Sequence, residues 1–552
     1  MVEKDQLLTV LSKASSFLNQ NDLLSLAQTS RLLHDNLAIE RLYHSITITR
    51  DPIRRTDFWF IDCGRSYLSG YRALKKNADQ NDLFLYDRIE RLLESRHLRH
   101  IRRLVIQDSV FQDRQTGDPL LRKLLEKIID LDQIELLDIR DDLLFHEYKA
   151  KILNLSNLKS IRLIDIASIG RTKSLAGLTS IEWVLQYATI PDKPLSQQVI
   201  EFLSNKLVKA ELMFDDAETS SLLLISYLHS QGVKCSSLKS LKLNHVHGKG
   251  SHDKHLQHIE FAHLEEMVNL QTLEKLELGL SCENVGCGCV DDFLQELAPR
   301  LLSLKELALI EKSTAVSTDH QAKEDWDIMI SKFLLHIPFV GANLRKLSIR
   351  HQTPLNGISD DSVHGNYFRR RTLYETVLPK LKSLQTLIAP TMLQSLSAYE
   401  VLVCDLLWNG CKCDYCAKVL PIFDQYIMNH QYCPKESGRY MDVIPTVFFA
   451  YAGDFLTHNS MDLVQWDLEA FNYSLFYRAW NMHGYEALHH FENYDCLFDE
   501  STFQPLSVAI THFFDSYMDS LVQILPSLRT VLLSGIYYAV DSQSHTYESV
   551  YS

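Results

Sequence analysis

The chain has 552 residues, of which 46% are hydrophobic and 23% are charged. This length exceeds what one hydrophobic core usually supports, so we expect several domains or a repeat array. The formal net charge of -14 argues against a nucleic-acid partner, because phosphate binding requires a concentrated basic surface.

The N-terminus and the cysteines indicate a reducing compartment. Residues 1–5 are polar and do not form a secretory signal, and no stretch reaches the roughly 20 consecutive apolar residues that a bilayer span needs. In a reducing compartment, free thiols or metal ligands are more plausible than disulfides for the 11 cysteines. We therefore expect a cytoplasmic protein without a membrane span.

Apolar residues at helical spacing predict two short helices within residues 5–37. The polar run Asn19 to Asp22 supplies the turn between them and the N-cap of the second helix. In that second helix, which we extend to Leu37, Leu24 and Leu32 fall partly outside the inner apolar stripe. The module should therefore expose apolar surface, which usually marks a protein interface.

The order Phe17-Leu18-Asn19-Gln20-Asn21-Asp22-Leu23-Leu24-Ser25-Leu26 resembles the centre of an F-box. That family has a hydrophobic–leucine pair, a polar turn with aspartate before two leucines, and then a helix of small residues. Leu42-Tyr43 matches its later contacts, whereas Leu7-Leu8 replaces the usual Leu-Pro entry. The resemblance implies that a Skp-type linker subunit binds here. Its contacts would be Leu7, Leu8, Leu11, Phe17, Leu18, Leu23, Leu24 and Leu26. The alternative is a plain helical cap that closes a repeat array.

A motif of the form L-x-x-L-x-x-L-x-L returns between residues 98 and 389 and once more near the C-terminus. Such self-similarity is typical of a leucine-rich-repeat array. The closing Leu-x-Leu predicts a short strand whose alternate side chains enter the core, and neighbouring repeats must stack to bury them. Helices fill the longer intervals, one opening at Asp118-Pro119 and another running from Phe293 to Leu302.

Residues between the inward leucines should point to the concave face of this array. Examples are Asp138, Arg162, Lys242 and Glu277. Their mixed charge suits selective recognition of a protein more than binding of an extended polyanion. We expect a client protein to bind there.

Residues 394–520 interrupt the repeats and are rich in cysteine and aromatic residues. Cys411, Cys413 and Cys416 cluster, and His430 follows closely. Four thiolate or imidazole donors are what a structural zinc ion requires, so these residues are a candidate zinc site, with ordinary free thiols as the alternative. A smaller cluster, Cys282, Cys287 and Cys289, has no obvious fourth ligand.

We find no P-loop, no G-x-S-x-G and no H-E-x-x-H motif, and therefore expect no catalytic site.

The predicted class is α/β: an N-terminal helical F-box-like module, then an irregular leucine-rich-repeat solenoid with a helical insertion. The predicted bounds are 1–48 for the module, 49–96 for a helical linker and solenoid cap, 97–393 for the repeats, 394–520 for the insertion, and 521–552 for the last repeat and tail.

Three further segments carry a resemblance along the whole chain: residues 83–93, 406–413 and 426–432. With the F-box-like segment, they make the chain similar to fungal F-box-like leucine-rich-repeat proteins, above all to the yeast non-SCF type that represses an endosomal Rab GTPase. The resemblance implies linker binding without a complete ubiquitin ligase, inhibition of a Rab-family GTPase, and peripheral association with endosomes through the partner. Two alternatives stay open: a receptor that delivers ubiquitination substrates to an SCF-type ligase, and a zinc-dependent enzyme.

Overall fold

The computed structural model describes residues 11–13, 15, 18, 20–49, 65–69, 78–107, 110–111, 113–163, 166, 177–185, 190–191, 193–214, 219–247, 254–282, 287–311, 320–351, 373–389, 411–418, 512, 515, 518–533 and 536–549. The chain divides into two compact units. The first comprises Met1–Leu185 and Pro191–Glu211, and the second comprises Gln186–Ile190 and Leu212–Ser552.

Helices open the first unit. They are α1 (Gln20–Thr29), α2 (Arg31–Leu33) and α3 (Ile39–His44), with one wider helical turn at His34–Ala38 between α2 and α3. The prediction of one continuous second helix is wrong at Ser30. Its backbone is extended, and its hydroxyl accepts a hydrogen bond from the Leu33 backbone N–H at 3.2 Å. Ser30 thus caps a new helix, as serine often does.

Parallel strands follow in the first unit. They are β1 (Ser45–Thr49), β2 (Ser66–Ser69), β3 (Arg103–Ile106), β4 (Leu136–Ile139), β5 (Ser160–Leu163), β6 (Ser180–Leu185) and the beginning of β7 (Lys209–Phe214). The order β2-β1-β3-β4-β5-β6 follows the chain except at the β1–β2 edge. Repeats stacked in chain order produce this arrangement.

Helices of the first unit lie between these strands in the chain. They are α4 (Ala78–Glu94), α5 (Arg114–Leu131), α6 (Asp142–Ile152) and α7 (Gln197–Asn205). The predicted start of α5 at Asp118 is wrong, because the Asp113 side chain accepts from the Gln115 backbone N–H at 3.0 Å and caps the helix earlier. The side of α5 that faces the core is formed by Leu120, Leu121, Leu124, Leu125 and Ile128, which are all buried.

The second unit continues the same strand–helix alternation. Its strands are β8 (Ser240–His247), β9 (Lys275–Cys282), β10 (Glu306–Glu311), β11 (Lys346–His351), β12 (Thr386–Ala389), β13 (Thr530–Leu533), β14 (Ile536–Asp541) and β15 (Thr546–Ser549). Its helices are α8 (Leu222–Ser230), α9 (Lys254–Met267), α10 (Cys289–Leu297), α11 (His320–His336) and α12 (Val340–Asn343). The helix predicted from Phe293 begins earlier, at Cys289.

The insertion does not break the sheet of the second unit. Strand β12 pairs in parallel with β13, and the pairing joins Leu387 to Val531. Strands β14 and β15 then form an antiparallel end to the array. The last motif copy, near residue 531, is therefore the next repeat after the one that ends at residue 389.

The repeat leucines form the cores of both units. All predicted motif copies lie on or directly before strands β3 to β13, and their inward side chains are buried, as shown by Leu104, Leu137, Leu243, Leu278, Leu309 and Leu347. Burial of one such side chain contributes about 1.5–3 kcal/mol relative to exposure. The predicted α/β solenoid class is confirmed in each unit.

Candidate functional site

The N-terminal module has a small core of its own. Leu23 packs with Ala38 and Leu42, and Leu18 and Tyr43 add partly buried surface to the cluster. Leu23 is 1% exposed. The leucine at this position therefore holds the module together and offers no surface to a linker subunit in this conformation.

Leu24 and Leu32 form what we call the exposed leucine pair. Leu24 is 43% exposed and Leu32 is 38% exposed. This confirms the prediction that both residues fall outside the inner apolar stripe. Leu11, Leu18 and Leu26 are half-buried, whereas Leu7, Leu8 and Phe17 lie outside the described residues.

Side-chain contacts join the module to the rest of the first unit. The Gln20 amide donates to the Tyr67 carbonyl at 3.3 Å and accepts from the Tyr67 backbone N–H at 2.9 Å. Gln20 thereby satisfies the backbone of the edge strand β2, much as a further strand would. Tyr43 also stacks on His97, with ring centroids 4.9 Å apart. The start of α1 is thus fixed to the edge of the sheet.

Charged side chains form ion pairs on the outer face of the first sheet, which is the face opposite the inward leucines. Arg140 Nε lies 3.1 Å from Asp138 Oδ2, and Arg140 Nη2 lies 3.8 Å from Glu182 Oε2. Arg162 Nε approaches the same Glu182 carboxylate at 3.6 Å. Burial alone would lower the pKa of Arg140, but the charges of Asp138 and Glu182 raise it. Arg140 therefore stays charged and links β4 to β6 electrostatically, while Arg162 links β5 to β6.

The second unit carries a matching pair on its own outer face. Lys242 and Glu277 are register partners across β8 and β9, with Lys242 Nζ 3.0 Å from Glu277 Oε1. All four residues predicted for the concave face thus lie on strands, and each takes part in an ion pair. The sequence did not indicate Arg140 and Glu182, which complete the charge row of the first unit.

Cysteine and histidine donors converge near the end of the second unit. Cys411, Cys413, Cys416 and His512 place one ligand atom each so that all four atoms lie within 4.8 Å of one another. Nδ1 of His512 is 3.2 Å from Cys416 Sγ and 3.6 Å from Cys413 Sγ. These clustered donors could bind a metal ion. The predicted fourth ligand, His430, lies outside the described residues, and the sequence did not indicate His512.

The local backbone stabilises charge on this cluster. The Cys413 thiol accepts from the Cys416 backbone N–H at 3.5 Å, and the Cys411 thiol accepts from the Cys413 backbone N–H at 3.4 Å. The first of these bonds is the main cause that lowers the pKa of Cys413 to about 6. Burial is the main cause that raises the pKa of Cys416 to about 12. The exposed Cys413 thiol therefore releases its proton more readily than the buried Cys416 thiol.

A second cysteine cluster has one donor fewer. Cys282 at the end of β9, Cys287, and Cys289 at the start of α10 bring their sulfur atoms within 4.8 Å of one another. Across the described parts of the chain, no fourth donor joins them at that distance.

A comparison with known proteins gives the family. The chain is 47% identical over 552 residues to a Saccharomyces cerevisiae protein described as non-SCF-type F-box protein ROY1, and the match covers 100% of both chains. The chain belongs to the non-SCF-type F-box protein family. No protein-family model matches it.

Membership of this F-box family agrees with a role in protein–protein interaction. The predicted resemblance to the yeast non-SCF type is confirmed by the full-length match. Within the described residues, no helix combines the length and apolar character that a membrane crossing requires.

Proposed function

We propose that this chain is a non-catalytic F-box-like adaptor. Its N-terminal module binds a Skp-type linker subunit, and the outer face of its strands binds a client. The client is an endosomal Rab-family GTPase that the adaptor holds out of its GTP-bound state. The observation that carries the proposal is the 47% identity, end to end, with a non-SCF-type F-box protein.

The exposed leucine pair supports the linker-binding part. Leu24 and Leu32 expose apolar surface on a module whose own core, built on Leu23, is complete without them. Exposed apolar surface of this kind is typical of a protein interface, so we assign the exposed leucine pair to linker binding. The Gln20–Tyr67 bonds fix the module to the first sheet, and a linker bound at α1 would keep a set position on this unit.

The outer-face charges support the client-binding part. Acidic and basic side chains alternate there, as in the Asp138–Arg140–Glu182 row and the Lys242–Glu277 pair. Charges of both signs favour a partner with a complementary pattern and reject one with a single sign. Such a pattern suits the surface of a folded protein more than a nucleic acid, whose backbone carries charge of one sign.

Inhibition of a GTPase needs no catalytic group in the adaptor. If the adaptor binds the GDP-bound or nucleotide-free form more tightly than the GTP-bound form, mass action depletes the GTP-bound form. A tenfold preference corresponds to about 1.4 kcal/mol of differential binding free energy. The expected action is therefore stoichiometric, with one adaptor required for each inhibited GTPase.

The alternative function is a substrate receptor of an SCF-type ubiquitin ligase, which would use the same two surfaces. The two functions differ in the proteins that accompany the linker. We expect the full chain, purified from cells under mild conditions, to retain the linker and a Rab-family GTPase without cullin or RING subunits in comparable amounts. Stoichiometric cullin and RING subunits would contradict the inhibitor proposal and support the ligase receptor.

A GTP-loading assay tests the inhibitory step directly. The captured GTPase is mixed with a fluorescent GTP analogue and an exchange factor, with rising concentrations of the purified adaptor–linker complex. We expect the amount of GTP analogue bound to fall linearly with the adaptor concentration and to reach zero at one adaptor per GTPase. Undiminished loading at an excess of adaptor would contradict the Rab assignment.

A further inference from the structure

We propose that Cys411, Cys413, Cys416 and His512 bind one structural zinc ion. The ion would link residues 411–416 to His512, two parts of the second unit that are distant in the chain. The proposal is independent of the adaptor function, because the four ligands lie outside the N-terminal module and are absent from the strand-face charges described above.

The interatomic distances fit a tetrahedral zinc ion. Zn–S bonds of about 2.3 Å and a Zn–N bond of about 2.0 Å, at the tetrahedral angle, place sulfur and nitrogen about 3.5 Å apart. The distances from His512 Nδ1 to Cys416 Sγ and Cys413 Sγ are 3.2 Å and 3.6 Å. His512 and two of the cysteines thus lie at the ligand–ligand distances of such an ion, and all four donor atoms lie within 4.8 Å of one another.

The donor types select zinc over other common metals. Three thiolates and an imidazole are soft and borderline ligands, which suit zinc and disfavour magnesium or calcium. With all four positions filled by the protein, no position is open for a substrate, so the ion is structural. The backbone N–H groups of Cys413 and Cys416 donate to Cys411 and Cys413, the kind of supporting hydrogen bond that stabilises metal-bound thiolates.

The histidine is held by the core of the second unit. Residues 518–524 are helical, and this segment buries Met518, Leu521 and Val522. The Tyr547 hydroxyl of β15 lies 3.0 Å from the Asp515 carbonyl and 2.9 Å from the Asp519 carboxylate, and it can donate its one proton to either. Because His512 precedes this anchored segment, the repeat core supplies one side of the metal site and residues 411–416 supply the other.

A bound ion would stabilise the folded chain because it links two residues that are distant in the sequence. Cys416 and His512 are 96 positions apart in the chain. A metal clip between such distant residues restricts the unfolded chain more strongly than one between near neighbours. Zinc binding also requires that thiol protons be released, so the bound form should weaken as the pH falls.

Metal analysis of the purified full chain and four variants tests the proposal. We expect one zinc ion per chain in the natural sequence, and loss of zinc in Cys413→Ser and His512→Ala. His430→Ala is the matched histidine control, and Cys282→Ser is the matched cysteine control, and both should retain zinc. A zinc-free natural chain, or unchanged zinc in His512→Ala, would overturn the assignment.

Cobalt titration of the natural chain gives a second test that does not depend on the folding of a variant. After removal of zinc, Co²⁺ should saturate at one equivalent and give the intense visible absorption of a tetrahedral thiolate site, which added Zn²⁺ then abolishes. A weak octahedral spectrum would overturn the proposal. Zinc removal should lower the Tm of the chain and leave linker binding by the N-terminal module unchanged.

Discussion

Leu23 and Leu24 are neighbours in α1, yet they occupy opposite environments. Leu23 is 1% exposed and packs against Ala38 and Leu42, whereas Leu24 is 43% exposed. Successive residues in a helix point about 100° apart, so one of the two can serve the core while the other faces outward. A substitution at Leu23 should therefore change the stability of the module, whereas one at Leu24 should change its binding to a partner.

The first prediction concerns the stability of the module. Leu23→Ala removes buried methyl groups and should lower the free energy of local unfolding by about 2–5 kcal/mol. Leu24→Ala, the matched control, should change it by about 0.5 kcal/mol or less, because the side chain is largely exposed. Hydrogen exchange of the amides in α3 measures both effects. Equal exchange rates in the two variants would contradict the assigned core.

The repeat strands could be predicted because stacked repeats require apolar side chains at regular positions in each strand. Each inward Leu-x-Leu pair is buried between neighbouring repeats, and polar residues there would cost several kcal/mol, so the pattern persists along the chain. Strand β1 was missed although its sequence Ser45-Ile46-Thr47-Ile48-Thr49 is rich in β-branched residues. It lacks the leading leucines of the repeat motif. Most of the strand also lies within residues 1–48, the bounds predicted for the helical F-box-like module.

The site residues were less predictable, because their partners are distant in the chain. His512 lies 96 positions after Cys416 in the chain, and no local spacing indicates such a contact. Likewise, the pairing of Arg140 with Glu182 depends on the register of β4, β5 and β6. Sequence periodicity indicates which face a residue occupies but not which residue on the next strand it contacts.

The second prediction concerns the charge row of the first unit. Arg140→Gln leaves the Asp138 carboxylate without its cation and leaves Glu182 with Arg162 alone, which should destabilise this part of the sheet by about 2–3 kcal/mol. Lys242→Gln breaks a more exposed pair and should cost about 1 kcal/mol or less. Hydrogen exchange in β4 and in β8 reports the two effects separately.

A double variant provides the control for Arg140. Adding Asp138→Asn to Arg140→Gln removes the carboxylate that lost its cation and should restore part of the lost stability. If the double variant is less stable than the sum of both single changes predicts, the ion pair does not stabilise the sheet in the way described.

The third prediction concerns pH and Glu260 in α9. Burial raises the pKa of this carboxyl from 4.5 to about 7. The folded chain therefore holds a proton that the unfolded chain releases, and stability should fall as the pH rises from about 4.5 to about 7. Glu260→Gln should flatten this part of the Tm profile and raise the Tm at about pH 8, where the natural chain buries a carboxylate.

Glu265, in the same helix, should respond in the opposite direction. The Arg300 guanidinium donates to its carboxylate at 2.6 Å and lowers the pKa of Glu265. Its contribution to stability is present above its ordinary pKa and is lost as the pH falls through the lowered value. Glu265→Gln should therefore lower the Tm at neutral pH. A fall in Tm for both glutamine variants at about pH 8 would contradict the role of Glu260.

The most direct test of the adaptor proposal is the affinity of a purified Skp-type linker for the full chain, measured by isothermal titration. Leu24→Asp places a charge in the proposed interface, whereas Leu143→Asp makes the same change at an exposed leucine of α6 in the repeats. We expect Leu24→Asp to weaken linker binding at least about tenfold, equivalent to about 1.4 kcal/mol, and Leu143→Asp to leave it unchanged. Equal affinity of all three chains for the linker would contradict the proposal.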